Sequence, residues 1–320
     1  MKNSLRTYHP LRDEAAWEIS LTEAGAMEAK RNGDRVASLR AGVQENRATF
    51  RWESGKDDTL APWLLTEHFF NERPEVNELC WENTANPKLP STREEFFQHA
   101  PLWLAAGHGE ATPERWTETN GRAHPVRPVI TPGVKYRRYW PAINATISYR
   151  VADVARDLDI FHEWHNSYRV YQFWELNKPK EELREYLTKG LQDPHQTPFI
   201  VEIDGAPVGY FEFYWTAEDR LGPYYEYQPF DRGFHFLIGS REHLGLVNTD
   251  SILKALCHFI FLDDPRTRRL MAEPRSDNRK VLRYTEVFPV FQKLYEFDFP
   301  HKRAALIQGK REAFFSGKYL

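Results

Sequence analysis

Three observations predict an α/β chain built around a mixed sheet of α+β type. Two apolar-aromatic runs, residues 197–203 and 207–215, are separated by Asp204-Gly205, a strong short-range hairpin signal. Residues 154–166 carry Val154, Leu158, Phe161 and Trp164 at helical spacing. Two compact strand-like runs, 234–239 and 269–273, each lead into the start of a helix, the junction at which open α/β sheets bind ligands.

At 320 residues the chain is long enough for two cores. It is 41% hydrophobic and 28% charged, and its apolar run at 256–262 is broken by His258, far short of the roughly 20 residues that span a bilayer. A soluble, non-membrane protein is expected. The first residues lack the apolar core of a secretory signal and the chain has only Cys80 and Cys257, so a cytoplasmic location is expected. A net charge of −3 without a sustained basic stripe argues against nucleic acid as a partner.

The first 111 residues mix short strands (35–39, 48–52) with helices (60–71, 91–98) and are read as an N-terminal domain. Residues 112–143 are read as a Pro-rich linker, since five prolines and two glycines disfavour any long regular element. The remainder, 144–320, is read as the catalytic domain. A strand at 144–151 precedes helices at 154–166 and 180–191, then the hairpin and the strand 234–239. A helix at 247–261, a strand at 269–273, a helix at 277–286 and strands at 291–299 and 304–308 complete it. This order is similar to that of the GNAT acyl-CoA N-acyltransferase fold.

An acyl-CoA transferase must hold a pyrophosphate, polarise a thioester carbonyl and take a proton from an amine. Backbone N–H groups at a helix start serve the first need. The stretch Gly239-Ser-Arg-Glu-His-Leu-Gly245 suits it, although a glycine pair is also a common structural turn and Arg241 is equally consistent with a solvated charge. His235 lies out of phase with Phe234 and Phe236 on its strand, where a single histidine is more often structural than catalytic. Glu273 ends the next strand, and Pro274 stops pairing there. On neighbouring strands the two would share one cleft, able to orient an amine and accept its proton. The alternative for Glu273 is an ion pair with Arg275 or Arg279. No metal site is expected, because His162 and His165 share a helix face without an evident third ligand.

The blocks Tyr136-Arg-Arg-Tyr, Phe173-Trp-Glu, Phe211-Glu-Phe-Tyr-Trp, Gly233-Phe-His, Asp264-Pro-Arg-Thr-Arg-Arg, Glu273-Pro-Arg-Ser-Asp-Asn and Glu296-Phe-Asp-Phe-Pro-His-Lys-Arg resemble the hydroxamate-siderophore acyltransferases, nearest to the aerobactin-pathway type. The resemblance runs from Tyr136 to the C-terminus. It implies transfer of an acetyl group from acetyl-CoA, without a metal, to the hydroxylamine nitrogen of N6-hydroxylysine. It implies that Glu273 is the base and that His235 contacts substrate. It also implies pathway partners: an amine N-monooxygenase and a siderophore synthetase. Acyl-CoA is expected at Leu237, Ile238, Gly239, Arg241, Gly245 and Asn278, with backbone N–H groups near Leu237 and Ile238 polarising the thioester. The acceptor is expected at His235, Trp174, Tyr214 and Arg232, and its carboxylate at Arg150, Arg169 or Arg232.

One departure concerns the pyrophosphate loop. Aligning the central glycine of the usual pattern with Gly245 puts Glu242 and Val247 at its outer positions. The N-terminal half matches only loosely and is read as a degenerate, non-catalytic GNAT-like half. Three alternatives stand beside the main reading. They are acetyl or succinyl transfer to N-hydroxycadaverine or N-hydroxyputrescine, long-chain acylation of lysine, and a non-catalytic binding module.

Overall fold

The computed structural model describes residues 5–22, 25–55, 58–82, 89–284, 288, 290–317 and 319–320. The chain divides into two compact units, residues 1–108 and 109–320.

In the first unit the strands β1 (Leu5–Tyr8), β2 (Trp17–Leu21), β3 (Ala26–Arg31), β4 (Asp34–Gln44) and β5 (Arg47–Gly55) pair in sequence order, each antiparallel to the last. Helix α1 (Ala61–Glu72) then returns the chain so that β6 (Glu78–Glu82) joins β5 in parallel. The helix starts where Asp58 Oδ1 accepts from the amides of Leu60 and Ala61, at 2.8 and 2.9 Å, filling donors that have no intrahelical partner. Helix α2 (Arg93–Phe97) is capped in the same way by Thr92. Phe50, Phe69, Phe70, Phe96, Phe97 and Trp103 form the aromatic core.

The second unit opens with a hairpin, β7 (Trp116–Thr119) and β8 (Arg122–Pro125), followed by β9 (Val134–Trp140). The segment 112–143 is therefore not a linker. Pro125 ends β8, the other four prolines fall outside the strands, and Asn120-Gly121 turns the hairpin, so the Pro and Gly content interrupts regular structure without abolishing it. Next come β10 (Ala145–Val151), α3 (Val154–Asn166), α4 (Tyr168–Trp174), α5 (Lys180–Gln192) and the hairpin β11 (Gln196–Ile203) and β12 (Ala206–Trp215). Then follow β13 (Arg232–Ile238), α6 (Leu246–Asp263), β14 (Arg269–Ala272), α7 (Arg279–Leu282), β15 (Phe291–Asp298), β16 (Arg303–Lys310) and α8 (Arg311–Ser316). The helix expected at 277–286 is shorter, capped by the Asn278 side chain, and 285–287 lie outside the described residues.

The eight-stranded sheet runs β15-β16-β14-β13-β12-β11-β10-β9. Its only parallel pair among the described strands is β13 and β14, joined by α6. Strand alternation divides the side chains. Ile200, Tyr210 and Leu237 pack against Leu158, Phe161 and Trp164 of α3 and Leu183 and Leu187 of α5. On the other face Tyr149, Phe199 and Phe213 meet Phe259 of α6. Arg150 lies toward α3, buried, with both terminal nitrogens on Asp157 and Nε on Glu202, each at 2.6 Å. Such a buried, fully bonded ion cluster fixes the seat of α3 on the sheet.

Candidate active site

Strands β13 and β14 are paired only at Arg232 with Leu270 and Gly233 with Met271. β14 ends one residue further on, at Ala272, while β13 continues to Ile238, so the sheet splays open there. A cavity of about 500 Å³ occupies the second unit at this opening. His235 and Glu273 both line it, as do Glu212, Trp174, Arg220 and Lys302.

Glu212 of β12 faces His235 of β13 directly in the ladder. Both point to the α3 and α5 face, with Tyr210 beside them on the same strand face. His235 Nδ1 lies 3.0 Å from Glu212 Oε2, and its Nε2 lies 2.9 Å from Glu273 Oε1. The hydroxyls of Tyr186 and Tyr210 donate to Glu212 Oε1 at 2.7 and 2.9 Å. Tyr214 donates to Glu273 Oε2 at 2.7 Å. Its ring reaches that far because Gly233 lies under it, where a Cβ would stand 2.2 Å from the ring. Two cations complete the shell: Arg220 Nη2 at 3.4 Å from Glu273 Oε1 and Lys302 Nζ at 3.8 Å. Lys302 Nζ also donates to the Glu273 carbonyl at 2.7 Å.

The result is a carboxylate–imidazolium–carboxylate array. The Glu273 side chain is 0% exposed and that of His235 is 24% exposed, opening the array to the cavity on the imidazole side. Burial acts against charge on His235, but the Glu273 charge and the hydrogen bonds to both carboxylates outweigh it and raise its pKa to about 10. Burial likewise opposes charge on Glu273. The His235 charge and hydrogen bond, the Lys302 charge and the Tyr214 hydroxyl nevertheless hold it well below the usual carboxylate range. Glu212 is lowered too, burial being overcome by His235 and the two tyrosines. Burial lowers Lys302, a shift that Glu273 offsets only in part.

Of the expected acceptor residues, Trp174 ends α4 and lines the cavity with its ring edge-on to His235, centroids 6.2 Å apart. Tyr214 does not line the cavity. It is buried behind Glu273 and positions the carboxylate instead of meeting substrate. Arg232 does not line the cavity: it is 2% exposed, bonded to Asp263 at 3.1 Å and stacked 4.0 Å from the Trp215 ring centre, because alternation turns it to the opposite face from His235. Arg150 is consumed by Asp157 and Glu202, and Arg169 donates to the Gly239 carbonyl at 3.0 Å.

The expected acyl-CoA residues lie along the strand-to-helix junction. The Leu237 and Ile238 side chains are core. Gly239 N–H bonds the Val208 carbonyl at 2.9 Å, so antiparallel alternation turns the amides of Phe236 and Ile238 toward the splayed edge and that of Leu237 toward β12. Gly245 caps α6, Arg241 is exposed between the two, and Asn278 lines the cavity. Gly239 also supports the indole of Trp164, which a Cβ would meet at 2.0 Å. Gly239→Ala is expected to cost about 1–3 kcal/mol, read as a lower urea midpoint, because α3 must shift to make room. An unchanged midpoint would contradict this packing.

Sequence reasoning missed Glu212, Tyr186, Arg220 and Lys302. For Glu212 a signal existed: a carboxylate set between Phe211 and Phe213 in a strand otherwise apolar and aromatic must find partners when buried.

A mixed sheet splayed at one parallel pair, with a helix start at one end of the opening and an acid–imidazole array within it, defines an acyl-CoA-dependent N-acyltransferase of the GNAT class. Residues 153–299 match the family described as acetyltransferase (GNAT) domain. The chain is 39% identical over 221 residues to the N(6)-hydroxylysine O-acetyltransferase of Escherichia coli, covering 69% of this chain and 70% of that one. It is 38% identical over 223 residues to an N(5)-hydroxyornithine:cis-anhydromevalonyl coenzyme A-N(5)-transacylase of Beauveria bassiana, covering 68% of this chain and 48% of that one. A crystal structure of an uncharacterized protein from Bacillus halodurans superposes with a TM-score of 0.53 at 31% identity, covering 57% of this chain and 93% of that one. The chain belongs to the hydroxamate-siderophore acyltransferases of the GNAT family. Among the described residues no helix is long and apolar enough to cross a membrane.

Proposed function

We propose that the chain transfers an acetyl group from acetyl-CoA to the hydroxylamine nitrogen of N6-hydroxylysine, forming a hydroxamate. The Glu212–His235–Glu273 array carries this reading, supported by the reactions for which the relatives are named. The hydroxylamine nitrogen, neutral near pH 7, attacks the thioester carbon. A C–N bond forms, the C–S bond breaks, the nitrogen gives its proton to Glu273 and the CoA thiolate ends as a thiol by taking up a proton. Because the nitrogen loses that proton only as the tetrahedral intermediate forms, a weak carboxylate base suffices. The imidazolium, its two N–H groups taken by Glu212 and Glu273, fixes the position of Glu273 at the cavity wall. The Ile238 amide, turned to the splayed edge, is suited to the thioester oxygen. For the first unit, the parallel β5–α1–β6 crossover has the same plan as β13–α6–β14, which supports a GNAT-like, non-catalytic half.

A thiol-release assay tests this, pairing N6-hydroxylysine, N-hydroxycadaverine, N-hydroxyputrescine and lysine with acetyl-CoA and succinyl-CoA. N6-Hydroxylysine with acetyl-CoA is expected to be fastest, and its product to form a coloured ferric complex, since N-acylation creates a bidentate hydroxamate. Equal rates with lysine would end the hydroxamate reading. Release of thiol without ferric binding would mean O-acylation, the reaction in the name of the Escherichia coli relative.

A further inference from the structure

We propose that Arg220 and Lys302, both held against the Glu273 carboxylate in the cavity wall, make the site accept a nitrogen that arrives uncharged and turn away the alkylammonium of the unhydroxylated parent amine. This rests on the hydroxylamine reading above and adds how the parent amine is refused.

Among the described residues, every carboxylate that lines the cavity has a cationic partner. Glu212 has His235 Nδ1 at 3.0 Å, and Glu273 has His235 Nε2 at 2.9 Å together with Arg220 and Lys302. Asp219 has His195 Nε2 at 3.5 Å, and Glu175 has Arg275 Nη1 at 4.0 Å. His301, at the same wall, supplies no negative charge, and burial with the Arg220 and Lys302 charges lowers its pKa. The tyrosines behind the array are held in the neutral form, since burial and the neighbouring carboxylates raise Tyr186 and Tyr214. An incoming ammonium would lose water, meet no free carboxylate among the described residues and lie beside the Arg220 and Lys302 charges.

The base cannot rescue such an acceptor by deprotonating it. A lysine side chain titrates near 10.4, so at pH 7.4 only roughly one molecule in 10³ is neutral. Glu273 is held far too acidic to take that proton. A hydroxylamine arrives neutral and yields its proton only during attack. Protonation state alone then separates the two acceptors by about 10³.

Lysine and N6-hydroxylysine differ by one oxygen, so the test uses this pair on the full chain with acetyl-CoA. For the wild type, the ratio of kcat/KM for N6-hydroxylysine over lysine is expected to be about 10³ or more at pH 7.4 and to fall about tenfold per pH unit up to pH 9. In Arg220→Gln and Lys302→Gln that ratio should hold, since a bound ammonium does not react, but lysine should inhibit N6-hydroxylysine turnover with a Ki at least about tenfold lower, and Arg220→Lys should keep the wild-type Ki, because charge and not shape sets the filter. The Kd of lysine, measured by calorimetry, should drop by about the same factor in both Gln variants, a readout that survives loss of turnover. Lysine Ki and Kd values unchanged in both Gln variants would overturn the filter. A wild type inert toward N6-hydroxylysine would instead overturn the hydroxylamine reading.

Discussion

Glu273→Gln is expected to lower kcat by about 10²- to 10⁴-fold while leaving KM for the acyl-CoA within about threefold, the pattern of a lost proton acceptor. The amide keeps the shape of the side chain and can still accept from Tyr214, so the loss reports charge and basicity more than packing. It also removes the main charge that raises His235, so imidazole protonation shifts toward lower pH in the variant. Thiol release under saturating N6-hydroxylysine measures the effect, with the urea midpoint as a control for folding. Turnover equal to wild type would show that Glu273 is not the base. In that case proton removal would fall to solvent or to His235, whose imidazole gives up its proton at lower pH in the variant.

The meeting of His235 and Glu273 in one cavity was legible in the sequence because its signals are local. His235 breaks an aromatic strand, and Glu273 precedes a proline that ends one. The strand and helix order of 144–320 was legible for the same reason, since α3, the hairpin at Asp204-Gly205 and α6 carry strong periodic or turn patterns. What was not legible depends on register and on long-range burial. Glu212 meets His235 only because β12 and β13 pair with one register, and Arg220 and Lys302 arrive from loops that are 53 and 29 residues from Glu273 in sequence. Arg232 was misplaced for a different reason: it stands three residues from His235 on one strand, and alternation alone puts the two on opposite faces. The Pro-rich stretch misled because proline density marks the ends of strands as well as true linkers, and three short strands fit between its prolines.

Glu212→Ala is expected to destabilise the fold by about 3–5 kcal/mol, because it leaves a buried imidazolium half-paired and the Tyr186 and Tyr210 hydroxyls without their acceptor. A packing role alone would predict a similar loss, so the discriminating measurement is pH dependence in the milder Glu212→Gln variant. An ordinary histidine titrates near 6.5. In the fold His235 holds its proton to about pH 10, so its contribution to stability is fully present below pH 6.5 and is lost as pH rises toward 10. Glu273 acts in a different window. Its lowered pKa contributes above the ordinary carboxylate range and is lost only as the solution becomes strongly acidic. Between pH 6.5 and 10, the falling part of the stability curve therefore belongs to His235 more than to Glu273. Removing the Glu212 charge takes away one cause of the raised pKa, so urea midpoints for Glu212→Gln should reach their alkaline floor at a lower pH than wild type. Midpoint curves that run parallel from pH 6.5 to 10 would mean that Glu212 packs beside His235 without setting its charge. A displaced curve would identify Glu212 as a second residue, beside Glu273, that keeps the imidazole cationic.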